Sequence, residues 1–218
     1  MINNIYNDKP NQYFSNVRND LISFIGNDYR ECIVLEVGAG SGATLLELKK
    51  TGIASKIYGY DIVDICLDKK EFEHFVVGNI EHEKIPFNIK FDIIILADVL
   101  EHLIEPDKVL EKLIPFLNKD GHVYISLPNI RYFKAIHQIL FKGDFKYEEE
   151  GILDKTHLRF FCKKNMKELI SKSSGLKLVK TESCLKKTKS KKGLLNKFTF
   201  GIFEEFLSVQ YFLKVKTN

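Results

Sequence analysis

The stretch Val34 to Thr44, VLEVGAGSGAT, constrains the fold of this chain more than any other. Ile33, Val34 and Leu35 suit a buried strand, Gly38, Gly40 and Gly42 follow closely, and Thr44 to Lys50 is periodic in the manner of a helix. Strand, glycine loop and helix in this order build a cradle. Glycines let a ligand approach the backbone, and the helix start turns unpaired N–H groups towards negative charge. A cofactor carrying a nucleoside is the expected occupant. Gly38, Gly40 and Ala43 also satisfy the G-x-G-x-x-G/A dinucleotide pattern, with Asp61 about twenty residues further on to hold a ribose. On the glycines alone an NAD-dependent oxidoreductase stays open.

Glu36, two residues before Gly38, turns the stretch into E-x-G-x-G-x-G. In that form it resembles motif I of the class I S-adenosylmethionine-dependent methyltransferases. The resemblance implies S-adenosylmethionine as cofactor, held by Glu36, Gly38, Gly40 and Gly42. Asp61, with Ile62 beside it, ends the second strand, where a carboxylate can accept hydrogen bonds from both ribose hydroxyls. Asn79 and Ile80, after the third strand, would enclose the adenine, and Asp98, at the end of the strand above which the methyl should sit, completes the set. In such enzymes the helix before the first strand lies over the methionyl end. Arg18 would there pair with the cofactor's carboxylate and Tyr13 close over it.

At 218 residues the chain suffices for one well-buried α/β domain, not for a dehydrogenase-style pair. The expected division is a single domain over 1–218, with a helical cap over 1–30, an acceptor-side insertion at about 129–161 and a final hairpin at about 176–217. The net charge is only +4, but Lys186, Lys187, Lys189, Lys191 and Lys192 crowd together. Such a run is a solvated loop or attracts phosphate, an anionic membrane surface or nucleic acid; it lacks the interleaved aromatics of a nucleic-acid stacking platform. Cys32, Cys66, Cys162 and Cys184 form no C-x-x-C pair. With no signal-like N-terminus and no window long enough to span a bilayer, a cytoplasmic protein is expected.

Helical spacing of Phe14, Val17, Leu21, Phe24 and Ile25 predicts a helix from Asn11 to Ile25. Strands are expected at Lys56 to Asp61, His74 to Val77, Phe91 to Ala97, His122 to Leu127, Leu176 to Leu185 and Val209 to Thr217. Pro106 opens a helix with its buried stripe at Val109, Leu110, Leu113, Ile114 and Leu117. Alternating strands and helices imply an α/β, Rossmann-like, doubly wound parallel sheet. The resemblance implies seven strands in the order 3-2-1-4-5-7-6, with strand 7 antiparallel. Leu194 to Leu207, rich in phenylalanine, reads as a helix covering the sheet edge, or as an interfacial segment touching membrane or a lipid-linked acceptor.

Methyl transfer to a hydroxyl profits from a positioned base, and histidine is the first residue type to seek. His157, in DKTHLRFF, and His102, in DVLEHL, fall in loops at the carboxyl ends of parallel strands, where open α/β sheets bind ligands. The segment LPNIRYFKAIHQILFKGDFKYEEEGILDKTHLRFF resembles the acceptor-side insertion of bacterial methyltransferases associated with surface-polysaccharide biosynthesis. That resemblance implies an O-methyltransferase acting on a sugar or sugar-phosphate precursor, with Asn129, Arg131, Tyr132 and Arg159 lining the acceptor pocket and no metal. Other acceptors are a phosphorylated amine or amino alcohol, needing no base. A second mechanism places Asp98, Glu101 and His102 on one helix face with His157 as a fourth ligand, an arrangement resembling the magnesium site of small-RNA 2′-O-methyltransferases.

Overall fold

The computed structural model describes residues 16–185 and 191–218; Tyr13, Phe14, Lys186, Lys187 and Lys189 lie outside the described residues. The main elements in chain order are α1 (Asn19–Ile25), β1 (Cys32–Val37), α2 (Ala43–Lys50), β2 (Ala54–Asp61), β3 (His74–Val77), β4 (Phe91–Ala97), α3 (Pro106–Leu113) and β5 (Leu117–Pro128). There follow α4 (Phe133–Lys142), α5 (Lys163–Lys172), β6 (Leu176–Ser183), α6 (Lys191–Phe198), α7 (Glu204–Leu207) and β7 (Gln210–Thr217). The seven strands form one sheet in the order β3-β2-β1-β4-β5-β7-β6. Strand β7 runs antiparallel to both β5 and β6, and the remaining pairings are parallel.

Strand β4 shows why the sheet sits in the middle. Ile93, Ile94, Ile95 and Leu96 are all fully buried, a run that only a central strand covered on both faces can satisfy. Alternation divides it between two cores. Ile94 and Leu96 join Leu35 and Val37 of β1 against Val109, Leu110 and Leu113 of α3 and Met166 and Ile170 of α5. Ile93 and Ile95 join Val34 against Leu21, Phe24 and Ile25 of α1 and Leu45 and Leu48 of α2. Phe24 stacks on Phe212 and meets Tyr124 edge-on, clamping α1 to the β5–β7 pair.

Four elements differ from expectation. Helix α1 begins at Asn19, so Val17 precedes it; the backbone N–H of Arg18 bonds the Thr44 hydroxyl at 3.2 Å and lays the entering chain over the start of α2. The Pro106 helix stops at Leu113, because Pro115 in the following single turn cannot continue it; Leu117 opens β5 instead of ending the helical stripe. Strand β5 contains Asp120 and Gly121 as an irregularity: Phe91 pairs with Leu117 but Ile93 with His122, and a Cβ on Gly121 would lie 2.9 Å from the Phe91 carbonyl. Leu194 to Leu207 does not form one continuous helix. It splits into α6 and α7 around Phe200 and Gly201, both with positive φ, and Leu194, Phe198, Phe200 and Ile202 are exposed.

Candidate active site

The carboxyl ends of β1, β2, β4 and β5 open onto a cavity of about 940 Å³. That is room for a nucleoside cofactor and an acceptor together. At the end of β1 the chain turns through Gly38, whose φ of +73° favours glycine and whose added Cβ would lie 2.5 Å from Val99 Cγ2. Asp61, ending β2, accepts the Gly40 N–H at 2.6 Å and the Val63 N–H at 2.9 Å. Burial raises its pKa, opposed by those backbone N–H groups. Gly42 caps α2 with φ +81° beside Phe72 and is not on the cavity wall.

Glu36 is buried at the end of β1, and its Oε2 has no hydrogen-bond partner. Burial pushes its carboxyl up to about 8, with Asp61 adding to the rise and Arg18 opposing it. The Tyr60 hydroxyl, also on the wall, is likewise buried without a partner. These orphaned oxygens, the glycine cradle and an acidic wall fit a cofactor that carries ribose hydroxyls, an ammonium group and a sulfonium. Ile62, Asn79 and Ile80 line the same cavity; the Asn79 side-chain oxygen accepts the Glu81 N–H at 2.9 Å.

The loop after β4 holds the densest chemistry. Asp98 adopts φ +54°, a conformation costly outside glycine, and accepts hydrogen bonds from Arg18, Gln210 and, at 3.3 Å, the Ser126 hydroxyl. Arg18 also reaches Asp20 at 3.0 Å and Gln210 at 3.0 Å, so it is anchored to the protein's own carboxylates. Glu101, in the next turn, has 0% exposure, and neither carboxylate oxygen has a hydrogen-bond partner. Burial, and then the Asp98 charge, drive its pKa well above the usual carboxylate range.

His157 is brought to Glu101 by a loop built for the purpose. The carbonyl of Glu101 accepts the N–H groups of Leu158 and Arg159 at 2.9 and 3.0 Å. Buried Asp154 accepts both the N–H and hydroxyl of Thr156, and the Arg159 guanidinium grips the Leu103 and Ile104 carbonyls at 3.2 and 3.1 Å. His157 Nε2 then lies 3.9 Å from Glu101 Oε1, and the His102 and His157 rings meet edge-on at 4.7 Å.

Arg18, Glu36, Gly38, Gly40, Asp61, Ile62, Asn79, Ile80, Asp98, His102 and His157 therefore share one cavity. Four residues expected on its acceptor side do not reach it. Asn129 is buried and spends its amide on the Glu205 and Ser208 carbonyls, and Arg131 pairs with Glu205 at 2.6 Å and lies over Phe206. The Tyr132 hydroxyl accepts from Lys192, and Arg159 has the structural grip just described. From the same segment, Glu148, Glu150, Gly151 and Ile152 line the cavity instead. The run Glu148 to Gly151 was the available signal for these. Gln210, at the start of β7, gave none, since only the folded sheet carries it to Asp98.

Residues 11–181 match a family described as methyltransferase domain, and the chain belongs to it. Its fold is that of solved S-adenosylmethionine-dependent methyltransferases. A tRNA U34 carboxymethyltransferase of Campylobacter fetus is 34% identical over 104 residues, 44% of this chain; the chain spans only 36% of that relative's length. Among solved structures, the complex between the Haloferax volcanii Trm112 methyltransferase activator and a methyltransferase superposes with TM-score 0.63 at 15% identity, covering 95% of this chain and 92% of that one. A Clostridium acetobutylicum S-adenosylmethionine-dependent methyltransferase gives 0.61 at 13%, covering 98% and 94%.

Proposed function

We propose that the chain methylates a hydroxyl of a saccharide, as an O-methyltransferase of surface-polysaccharide biosynthesis. One observation carries the reading: buried Glu101 and His157 and half-buried His102 stand together on the cavity wall at the end of β4. In-line displacement at an activated methyl needs mainly alignment. A neutral amine brings its lone pair with it, whereas a sugar hydroxyl must lose a proton, and a positioned histidine–carboxylate group serves that need. The glycan assignment rests on the resemblance of the segment from Leu127 to Phe161.

The acceptor is uncharged in this reading. The described cavity residues include eight carboxylates against one arginine, Arg18, which is already paired. Such a wall accepts hydrogen bonds from hydroxyls, and its described residues offer phosphate no lysine and no unpaired arginine, which also counts against an RNA acceptor like that of the curated relative.

The test is transfer of labelled methyl from S-adenosylmethionine to a panel of nucleotide sugars, free glycosides and amino alcohols, with the product's methyl located by NMR. O-methylation of a sugar is expected. His157→Ala should lower kcat by about 10²- to 10⁴-fold and leave S-adenosylhomocysteine affinity nearly unchanged. Methyl found on nitrogen, or full activity in that variant, refutes the reading.

A further inference from the structure

We propose that Glu101, His102 and His157 form a binding site for one divalent cation of the first transition row, such as manganese, iron, cobalt or zinc. Each supplies one donor atom, and the three atoms lie within 4.8 Å of one another. Their spacing is set by backbone: Glu101 and His102 share the turn after β4, and the loop carrying His157 is hydrogen-bonded to the Glu101 carbonyl on its far side.

Two further observations point to a ligand. Glu101 is wholly buried, lines the cavity, and has no hydrogen bond to either carboxylate oxygen, a state whose desolvation cost an ion would offset. Both imidazoles are oriented from behind. His102 Nδ1 lies 3.1 Å from the Thr156 carbonyl and His157 Nδ1 lies 3.0 Å from the Ile152 carbonyl. A carbonyl only accepts, so each neutral ring carries its proton on Nδ1 and its lone pair on Nε2, the arrangement that backbone carbonyls impose on metal-ligating histidines.

The 3.9 Å from His157 Nε2 to Glu101 Oε1 is somewhat wider than the roughly 3.4 Å that two ligand bonds of about 2.1 Å enclose at a tetrahedral angle, so the side chains would draw together around a bound ion. Two imidazoles with one carboxylate favour these cations over magnesium or calcium, which prefer oxygen-rich sets. Asp98 does not join, being held by Arg18 and Gln210. Three protein ligands leave positions open towards the cavity, where an acceptor oxygen fits.

The cation's role, though not the site itself, rests on the O-methylation reading. A hydroxyl coordinated there acidifies; its O–H bond breaks and the proton leaves to solvent water. The oxygen then bonds to the methyl carbon as the C–S bond breaks, its electron pair staying on sulfur. His102 and His157 act as ligands in this state, so loss of either also impairs turnover.

The test is calorimetric titration of EDTA-stripped full-length protein with manganese chloride and with zinc chloride. One equivalent per chain is expected, with Kd raised at least about tenfold in His102→Ala and His157→Gln, each checked for an unchanged circular dichroism spectrum. Absence of saturable binding up to about 1 mM of either ion, or equal binding in both variants, overturns the site. Sugar methylation lost on stripping and restored by manganese supports the cation's role, and methylation that persists in metal-free protein overturns it. Cation binding in a protein that methylates only nitrogen leaves the site standing and refutes the O-methylation reading instead.

Discussion

Glu36 is the residue whose burial has the plainest thermodynamic consequence. Its carboxyl sits near 8 in the folded chain against a usual 4.5, so the native state holds this proton more tightly than the unfolded state does. The associated stability is fully present below pH 4.5 and is lost as pH rises through about 8, a change on the order of a few kcal/mol. Thermal unfolding of the cofactor-free chain from pH 5 to 8 should show stability falling with pH, and Glu36→Gln should flatten that fall; an unchanged slope would refute the assignment. Gly38→Ala should weaken donor binding at least tenfold, because φ +73° and Val99 both oppose a Cβ, and Val99→Ala should restore only part of the loss. Glu36, Gly38, Gly40 and Asp61 were legible because a local motif specifies them, whereas Gly42 of the same motif turns away from the cavity to cap α2. Glu148, Glu150 and Gln210 were not, because their place on the wall depends on contacts distant in sequence.

At the scale of elements, β4 was readable from its apolar run alone, since burial on both faces leaves no polar alternation to obscure it. The Pro106 helix was overextended because Leu117 continued its apolar spacing, while Pro115 in fact ends the regular backbone. The loop carrying His157 was recognised as a motif, but the work of Asp154 and Arg159 within it was visible only once their hydrogen bonds were known. Asp154→Ala should unlatch Thr156 and lower kcat with little change in donor affinity; an equal loss in both would place Asp154 in overall folding instead. Helix α1 is short, yet Leu21 is fully buried in the core it shares with β4, so Leu21→Ala should cost about 2–5 kcal/mol by denaturant unfolding.

For the molecule as a whole, charge is divided unevenly: the chain is net +4, but its central cavity is lined by carboxylates. Raising ionic strength should therefore increase KM for the donor while leaving inhibition by S-adenosylhomocysteine nearly constant, which steady-state kinetics over a salt series would check. The exposed side chains of Phe198, Phe200 and Ile202 make no comparable demand on the fold, and replacing all three by serine should leave unfolding stability within about 0.5 kcal/mol per site. The acidic wall also gives the catalytic cycle a direction. The donor arrives with a positively charged sulfur and departs with a neutral one, so each turnover removes the charge by which the cofactor was attracted. The spent cofactor keeps its ribose and adenine groups but gives up the charge part of its hold, so the wall favours a fresh donor over the product of the last turnover.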